Sequence, residues 1–317
     1  MTRAPTHRVR VLACAALALA PAAAFAQVGP PVRVESLPVE GATLVFEVRG
    51  EGDPLLVLNG GPGWSSAHMR PVADRLASGR VVLFDQRGTG RSRVALPLDS
   101  TRVTLDLMLD DIERLRERLG VESLDLLGHS FGGMLAMAYT ARHPERVRSL
   151  VLSAPGGPDL GFLSWYQTSL SDRVPPDLRA EAARWSRPET LASGAGRASL
   201  HIIRSMLPAF LVDEEALPVM EAALDTTTWN LRTSGLVWAD LARIGFDVRE
   251  RLGSFRGLVL VIQGRQDALG DHLPHETAAL FRDAELRILE GAAHILWLDR
   301  PDAYYEAIEG FLERTRD

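Results

Sequence analysis

Short apolar runs bounded by Gly, Pro and Asp alternate along the chain with stretches in which apolar residues recur every three to four positions. Thr43 to Arg49, Leu55 to Leu58, Val81 to Phe84, Leu124 to Leu127, Val147 to Ser153, Leu258 to Gln263 and Leu286 to Leu289 predict β-strands. Most lack period-two alternation, as expected of strands covered on both faces. Met69 to Ala77, Leu105 to Leu119, Phe131 to Arg142, Pro274 to Phe281 and Pro301 to Arg314 carry helical spacing. Strand–helix repetition of this kind predicts an α/β class, a mostly parallel sheet covered by helices. The rhythm stops after Ala154-Pro155-Gly156-Gly157-Pro158 and resumes near Phe246. Between those points Pro176 to Ser186, Ala198 to Leu207 and Glu214 to Leu224 read as helices and no segment reads clearly as a strand. The expected organisation is a core over 27–155, an inserted helical cap over 156–245, and the rest of the core over 246–317.

The first 26 residues stand outside this pattern. Arg3, Arg8 and Arg10 precede the apolar run Val11 to Ala20, and Ala24-Phe25-Ala26 offers small residues at a cleavage site, so 1–26 reads as a secretory signal peptide. The run is short and closed by Pro21, which disfavours a membrane span. A periplasmic or secreted protein with no stable membrane insertion after cleavage is expected. Cleavage removes three arginines and no acid, which takes the formal charge from −6 to −9. It also removes Cys14, the one cysteine, so neither a disulfide nor a thiol nucleophile remains. All 35 basic residues are Arg and face 41 acids. That balance argues against nucleic acid as a partner. The absence of Lys excludes Schiff-base chemistry and a phosphate-binding loop that needs its ammonium group.

Gly128-His129-Ser130-Phe131-Gly132 lies between a predicted strand and a predicted helix. A serine on such a sharp turn needs close backbone approach on both sides, hence the glycines, and faces the helix N-terminus. Its hydroxyl needs a base, and the base needs an acid to fix its tautomer. Asp267 follows the strand ending at Gln263, and His294 follows the strand ending at Leu289. Both therefore lie in loops past strand carboxyl ends, where open α/β sheets place ligands. Asp271 is a reserve acid. His68, His129, His143, His201, His272 and His275 are poorer bases, and no pair has a zinc-binding spacing, so neither metal nor cofactor is expected. Asn59-Gly60-Gly61-Pro62-Gly63-Trp64 directly follows another strand; the amides of Gly61 and Phe131 are candidates for an oxyanion hole. Asp85, Arg87 and Arg91, on a glycine-hinged loop, are expected to pair and brace that turn from behind, together with Asn59.

These segments, with Asp85-Gln86-Arg87-Gly88-Thr89-Gly90-Arg91-Ser92, resemble the α/β-hydrolase superfamily and within it the proline iminopeptidase branch. The resemblance implies Ser130 as nucleophile, His294 as base, Asp267 as orienting acid and a helical cap over the site. Asn59 stands where the branch has His. In iminopeptidases, acids from the cap hold the substrate's amino terminus; Glu214 and Glu215, with Trp64 and Trp229, are the candidate substrate contacts, and no motif singles them out. The expected activity is a serine hydrolase releasing N-terminal residues, proline preferred, from short peptides. A carboxylesterase, amidase or lactonase acting on a small acyl substrate, and a non-catalytic binding protein on the same scaffold, are the alternatives. The oligomeric state is not legible.

Overall fold

A computed structural model describes residues 31–315; the expected leader, 1–26, lies outside the described residues. The strands are β1 (Arg33–Val39), β2 (Ala42–Arg49), β3 (Pro54–Leu58), β4 (Arg80–Asp85), β5 (Arg93–Val94), β6 (Leu124–His129), β7 (Val147–Ser153), β8 (Leu258–Gly264) and β9 (Ala284–Leu289). They form one nine-stranded sheet in the order β1-β2-β4-β3-β6-β7-β8-β9, with β5 paired to β2. β2 runs antiparallel to β1, β4 and β5. From β4 to β9 every neighbouring pair is parallel. β1 and β5 escaped the sequence pattern for physical reasons. β1 is a half-exposed edge strand carrying Pro38, which a central strand could not accommodate, and β5 has only two residues.

Every residue of β3 and β6 is buried, because helices cover both faces. Leu56 and Leu58 of β3 join Ile112 and Leu115 of α2 (Leu105–Leu119) and Leu135 of α3 (Phe131–Arg142) in one cluster. Leu55 and Val57 point the other way, to Val72 of α1 (Arg70–Arg75) and Ile308 of α12 (Pro301–Arg314). The core thus lies in two layers, one on each side of the sheet. α2 begins where Thr104 Oγ1 accepts a hydrogen bond from Leu107 N (3.3 Å) and ends at left-handed Gly120. These signals explain why its limits agree with those read from the sequence.

Between β7 and the rest of the core, α4 (Leu163–Arg173), α5 (Pro176–Trp185), α6 (Pro188–Met206) and α7 (Leu217–Ala222) form a helical insertion. Backbone regularity is broken at Gly194 inside α6, so the regular second half starts near the expected Ala198. α8 (Leu231–Ile244) differs from these four. Its Val237 and Leu241 belong to the α2–α3 cluster, and its Asp240 accepts the N–H of Leu105 at the start of α2 (2.8 Å). The shorter α9 (Arg249–Leu252), α10 (His272–Ala279) and α11 (Leu296–Asp299) complete the core. No helix among the described residues is long and apolar enough to cross a membrane.

Candidate active site

The chain goes from β3 to β4 on one side and then to β6 on the other, so the sheet order switches direction between β3 and β6. Leu58, at the end of β3, pairs with Gly128 near the end of β6. The loops leaving these two strands therefore rise side by side at their carboxyl ends, where a doubly wound sheet opens a crevice. One is Asn59–Trp64; the other carries Ser130.

Ser130 is held at φ 54°, ψ −120°, a conformation that costs an L-residue about 1–3 kcal/mol and persists only when neighbours enforce it. Its amide donates to Ser153 O (3.1 Å), and its carbonyl accepts from Gly133 N and Gly156 N (2.9 Å each). The flanking glycines are required by contact: a Cβ at Gly132 would lie 2.0 Å from Leu58 O. Ser130 is consequently lifted off the end of β6 at the N-terminus of α3. Gly61, at φ 63°, forms a turn closed by Trp64 N donating to Gly61 O (2.8 Å). The N–H groups of Gly61 and Phe131 have no hydrogen-bond partner among the described residues, as oxyanion donors require.

His294 Nδ1 lies 2.8 Å from Asp267 Oδ2, with the two side chains 7% and 0% exposed. A carboxylate only accepts, so Nδ1 carries the hydrogen and Nε2 keeps its lone pair. Asp267 Oδ1 accepts from Leu269 N (3.0 Å), which fixes the carboxylate. Asp271, the reserve acid, lies at the exposed start of α10 near Arg265 (3.5 Å). Ser130 and His294 line one cavity of about 210 Å³. They are not joined by a direct hydrogen bond among the described residues, a common state of such pairs before substrate binds.

Asn59 is fully buried. Its Nδ2 donates to Gly60 O (3.1 Å) and Trp64 O (3.0 Å), and its own carbonyl accepts from Gln86 Nε2 (3.0 Å). An amide in place of an imidazole thus still clamps both ends of the glycine turn. Asp85 accepts from Ser66 N and Ser66 Oγ (2.8 Å each) and from Arg91 N (2.9 Å), tying the turn's exit to the following loop. Arg87 does not join it. Its guanidinium makes a two-point pair with Asp111 on α2 (2.7 and 2.6 Å) and donates to Arg102 O (2.9 Å). At 1% exposure a cation needs a bidentate carboxylate, and α2 supplies the one whose geometry fits.

The segment after α7 contributes contacts that no local motif announces. Trp229 bridges Trp64 in a short antiparallel pairing; Ser65 N donates to Thr228 O (2.7 Å) and Asn230 N to Gly63 O (2.8 Å). The rings of Trp64 and Trp229 lie 6.3 Å apart and both line the cavity. On the opposite side His294 N and Ile295 N donate to Phe210 O (3.0 and 3.1 Å). Asp299 accepts from Val212 N and Asp213 N (2.9 Å each) and from Ala293 N (2.7 Å). The histidine loop is thereby hung from the chain that follows α6.

The cavity wall is apolar on the insertion side, with Phe162, Tyr166, Leu170, Met206 and Phe210, and Trp238 of α8 nearby. No carboxylate and no guanidinium is among its lining residues. Glu214 and Glu215, expected as substrate contacts, are exposed and lie outside that lining. Three other acids of this stretch serve backbone ends: Asp213 accepts from Glu215 N (3.0 Å), Asp225 from Thr227 N (2.7 Å), and Asp240 from Leu105 N of α2 (2.8 Å). Two histidines dismissed on sequence grounds do line the cavity, His68 and His129. Neither has a local signal; His68 follows a turn whose reach only the fold reveals.

Known proteins share this fold. Residues 53–301 match the family model described as the alpha/beta hydrolase fold. A proline iminopeptidase of Saccharolobus solfataricus is 27% identical over 281 residues, covering 86% of this chain and 88% of its own. Among solved structures, a thermophilic esterase from Thermogutta terrifontis superposes with TM-score 0.69 at 20% identity, over 90% of this chain and 100% of the other. An enzyme, Est816, described as degrading N-acyl homoserine lactones, superposes with TM-score 0.64 at 21% identity, over 87% of this chain and 100% of the other. With the strand order, the elbow at Ser130 and a family match spanning most of the chain in agreement, this protein belongs to the α/β hydrolase fold family.

Proposed function

We propose that this chain is a serine hydrolase that cleaves neutral, largely apolar esters, lactones or amides through an acyl-enzyme. His294 Nε2 takes the proton of Ser130 Oγ as the oxygen attacks the carbonyl carbon. Asp267 holds the tautomer and stabilises the imidazolium. The amides of Gly61 and Phe131 receive the oxyanion, each worth about 3–4 kcal/mol of barrier in comparable sites. His294 then protonates the leaving group, and water deacylates the serine by the same route. The observation that carries the substrate class is the cavity wall, largely apolar and with neither a carboxylate nor a guanidinium among its lining residues.

The iminopeptidase reading is supported by the motif resemblance and by the name of the Saccharolobus relative. It requires a carboxylate against the substrate's ammonium, since a buried unpaired charge costs several kcal/mol, and no acid lines the cavity. Turnover of p-nitrophenyl butyrate against prolyl and alanyl p-nitroanilides decides between them. Faster hydrolysis of the aminoacyl anilides would overturn the neutral-acyl reading. Absence of fluorophosphonate labelling at Ser130 would overturn the hydrolase mechanism itself. Export rests on residues 1–26 alone, and a mature N-terminus at Gln27 is its test.

A further inference from the structure

The cavity that holds Ser130 also carries two imidazoles for which acyl transfer has no use. His68 and His129 are 3% and 2% exposed, and both line the cavity. His68 Nδ1 lies 3.0 Å from Ser65 O, and His129 Nδ1 lies 3.1 Å from Ser153 O. A carbonyl oxygen only accepts, so each Nδ1 carries the hydrogen and each Nε2 keeps a lone pair. Neither Nε2 has a hydrogen-bond partner among the described residues. Burial holds both rings neutral, His68 down to about 4 and His129 well below the ordinary range. Their centroids are 6.3 Å apart, and His129 stands 4.8 Å from the ring of His294. Apart from His294 they are the wall's nitrogen acceptors: Tyr166 and Ser234 can also donate, and the tryptophans only donate. Neither Nε2 is sealed in the core, so a donor entering the cavity can reach both.

We propose that His68 and His129 form an acceptor subsite for a neutral hydrogen-bond donor, a hydroxyl or an amide N–H, carried by the substrate within a few bonds of the scissile carbonyl. The proximity of His129 to both Ser130 and His294 sets that distance. A charged donor is disfavoured, because two neutral imidazoles without a carboxylate do not compensate a buried ammonium. The inference rests on the neutral-acyl reading above and narrows it to substrates that are apolar except for one donor near the reacting bond.

The test compares kcat/KM for p-nitrophenyl butyrate with its 2-hydroxy and 3-hydroxy analogues, and for ethyl with 2-hydroxyethyl butyrate. At least one hydroxylated member is expected to exceed its plain counterpart roughly tenfold, the upper end of the net weight of one hydrogen bond. His68→Phe is expected to bring that ratio close to one, and His68→Gln, which keeps an acceptor, to retain most of it. Because a ratio cancels the fraction of folded enzyme, a destabilised variant still reports. Plain esters turned over with no hydroxylated member preferred would overturn the subsite and leave the hydrolase reading standing, as would an unchanged ratio in His68→Phe. No turnover of any ester, with Ser130 unlabelled by a fluorophosphonate, would overturn both.

Discussion

Ser130, His294 and Asp267 act as a unit in the proposed mechanism, so their substitutions share one pattern. Ser130→Ala is expected to lower kcat by about 10⁴-fold or more and to abolish fluorophosphonate labelling with little change in stability. Asp267→Asn keeps the shape but offers an amide N–H where His294 Nδ1–H needs an acceptor, so kcat should fall by roughly 10³–10⁴. Wild-type rates in either variant, measured on p-nitrophenyl butyrate, would remove that residue from the machinery. At neutral pH His68 serves as an uncharged group, and its titration contributes to the pH dependence of stability. In the folded chain its pKa is lowered to about 4 by burial, against 6.5 for an ordinary histidine. Between those values the unfolded chain takes up a proton that the folded chain refuses, so stability present above pH 6.5 is lost as pH falls toward 4. The total is about 3 kcal/mol, and His129 adds a change of the same sign. Urea midpoints followed from pH 7 to pH 4 should fall, and His68→Phe should flatten the curve.

Elements bring these residues together through contacts that belong to no motif. The histidine loop depends on Asp299, which gathers three backbone N–H groups, two from the chain following α6 and one from Ala293. Asp299→Ala leaves three donors unpaired and should cost about 3–5 kcal/mol, less than three independent losses because relaxation and water recover part. Its kcat should fall more than its KM rises, as the loop drifts from Ser130; equal fractional losses of folded protein and activity would make the role purely structural. Gly132 sets the opposite wall of the elbow. With Leu58 O only 2.0 Å from a would-be Cβ, Gly132→Ala cannot be absorbed by a side-chain shift and should prevent accumulation of folded protein at 37 °C.

For the molecule as a whole, the pair between Arg87 and Asp111 joins the loop after β4 to α2 across the buried side of the sheet. Removing one partner strands a charge and should cost about 3–5 kcal/mol, whereas the apolar double replacement Arg87→Met with Asp111→Leu should recover most of it. Thermal unfolding of the two singles and the double measures this directly; a double variant as unstable as either single would show that the pair is favourable in its own right. Substrate choice belongs to the same scale. The wall on which the neutral-acyl proposal rests is assembled from α4, α6, α8, the turn after β3 and the start of α3.

Much of this is legible in the amino-acid sequence. The buried strands β3 and β8 are nearly continuous apolar runs, and β6 and β7 are broken only by a few polar residues, because both faces are covered; α2 and α12 carry the 3.6-residue period, while α3 is buried almost all round. The elbow was readable because close backbone approach demands glycine at fixed offsets from Ser130, and the loop positions of Asp267 and His294 because strand ends are marked by Gly. What stayed hidden depends on which side of a surface a residue faces. Glu214 and Glu215 are chemically apt for an amino terminus yet point to solvent, and Arg87 has Asp85 two residues away but finds its partner on a distant helix. His68 and His129 looked inert because their setting arises only when β3 and β6 lie side by side and the loop from one covers the turn of the other. Local sequence dictated the elements and the reactive turn, since backbone sterics and periodic burial act over a few residues. Only tertiary packing decided which polar groups meet the cavity, since that is a property of contacts between segments far apart in the chain.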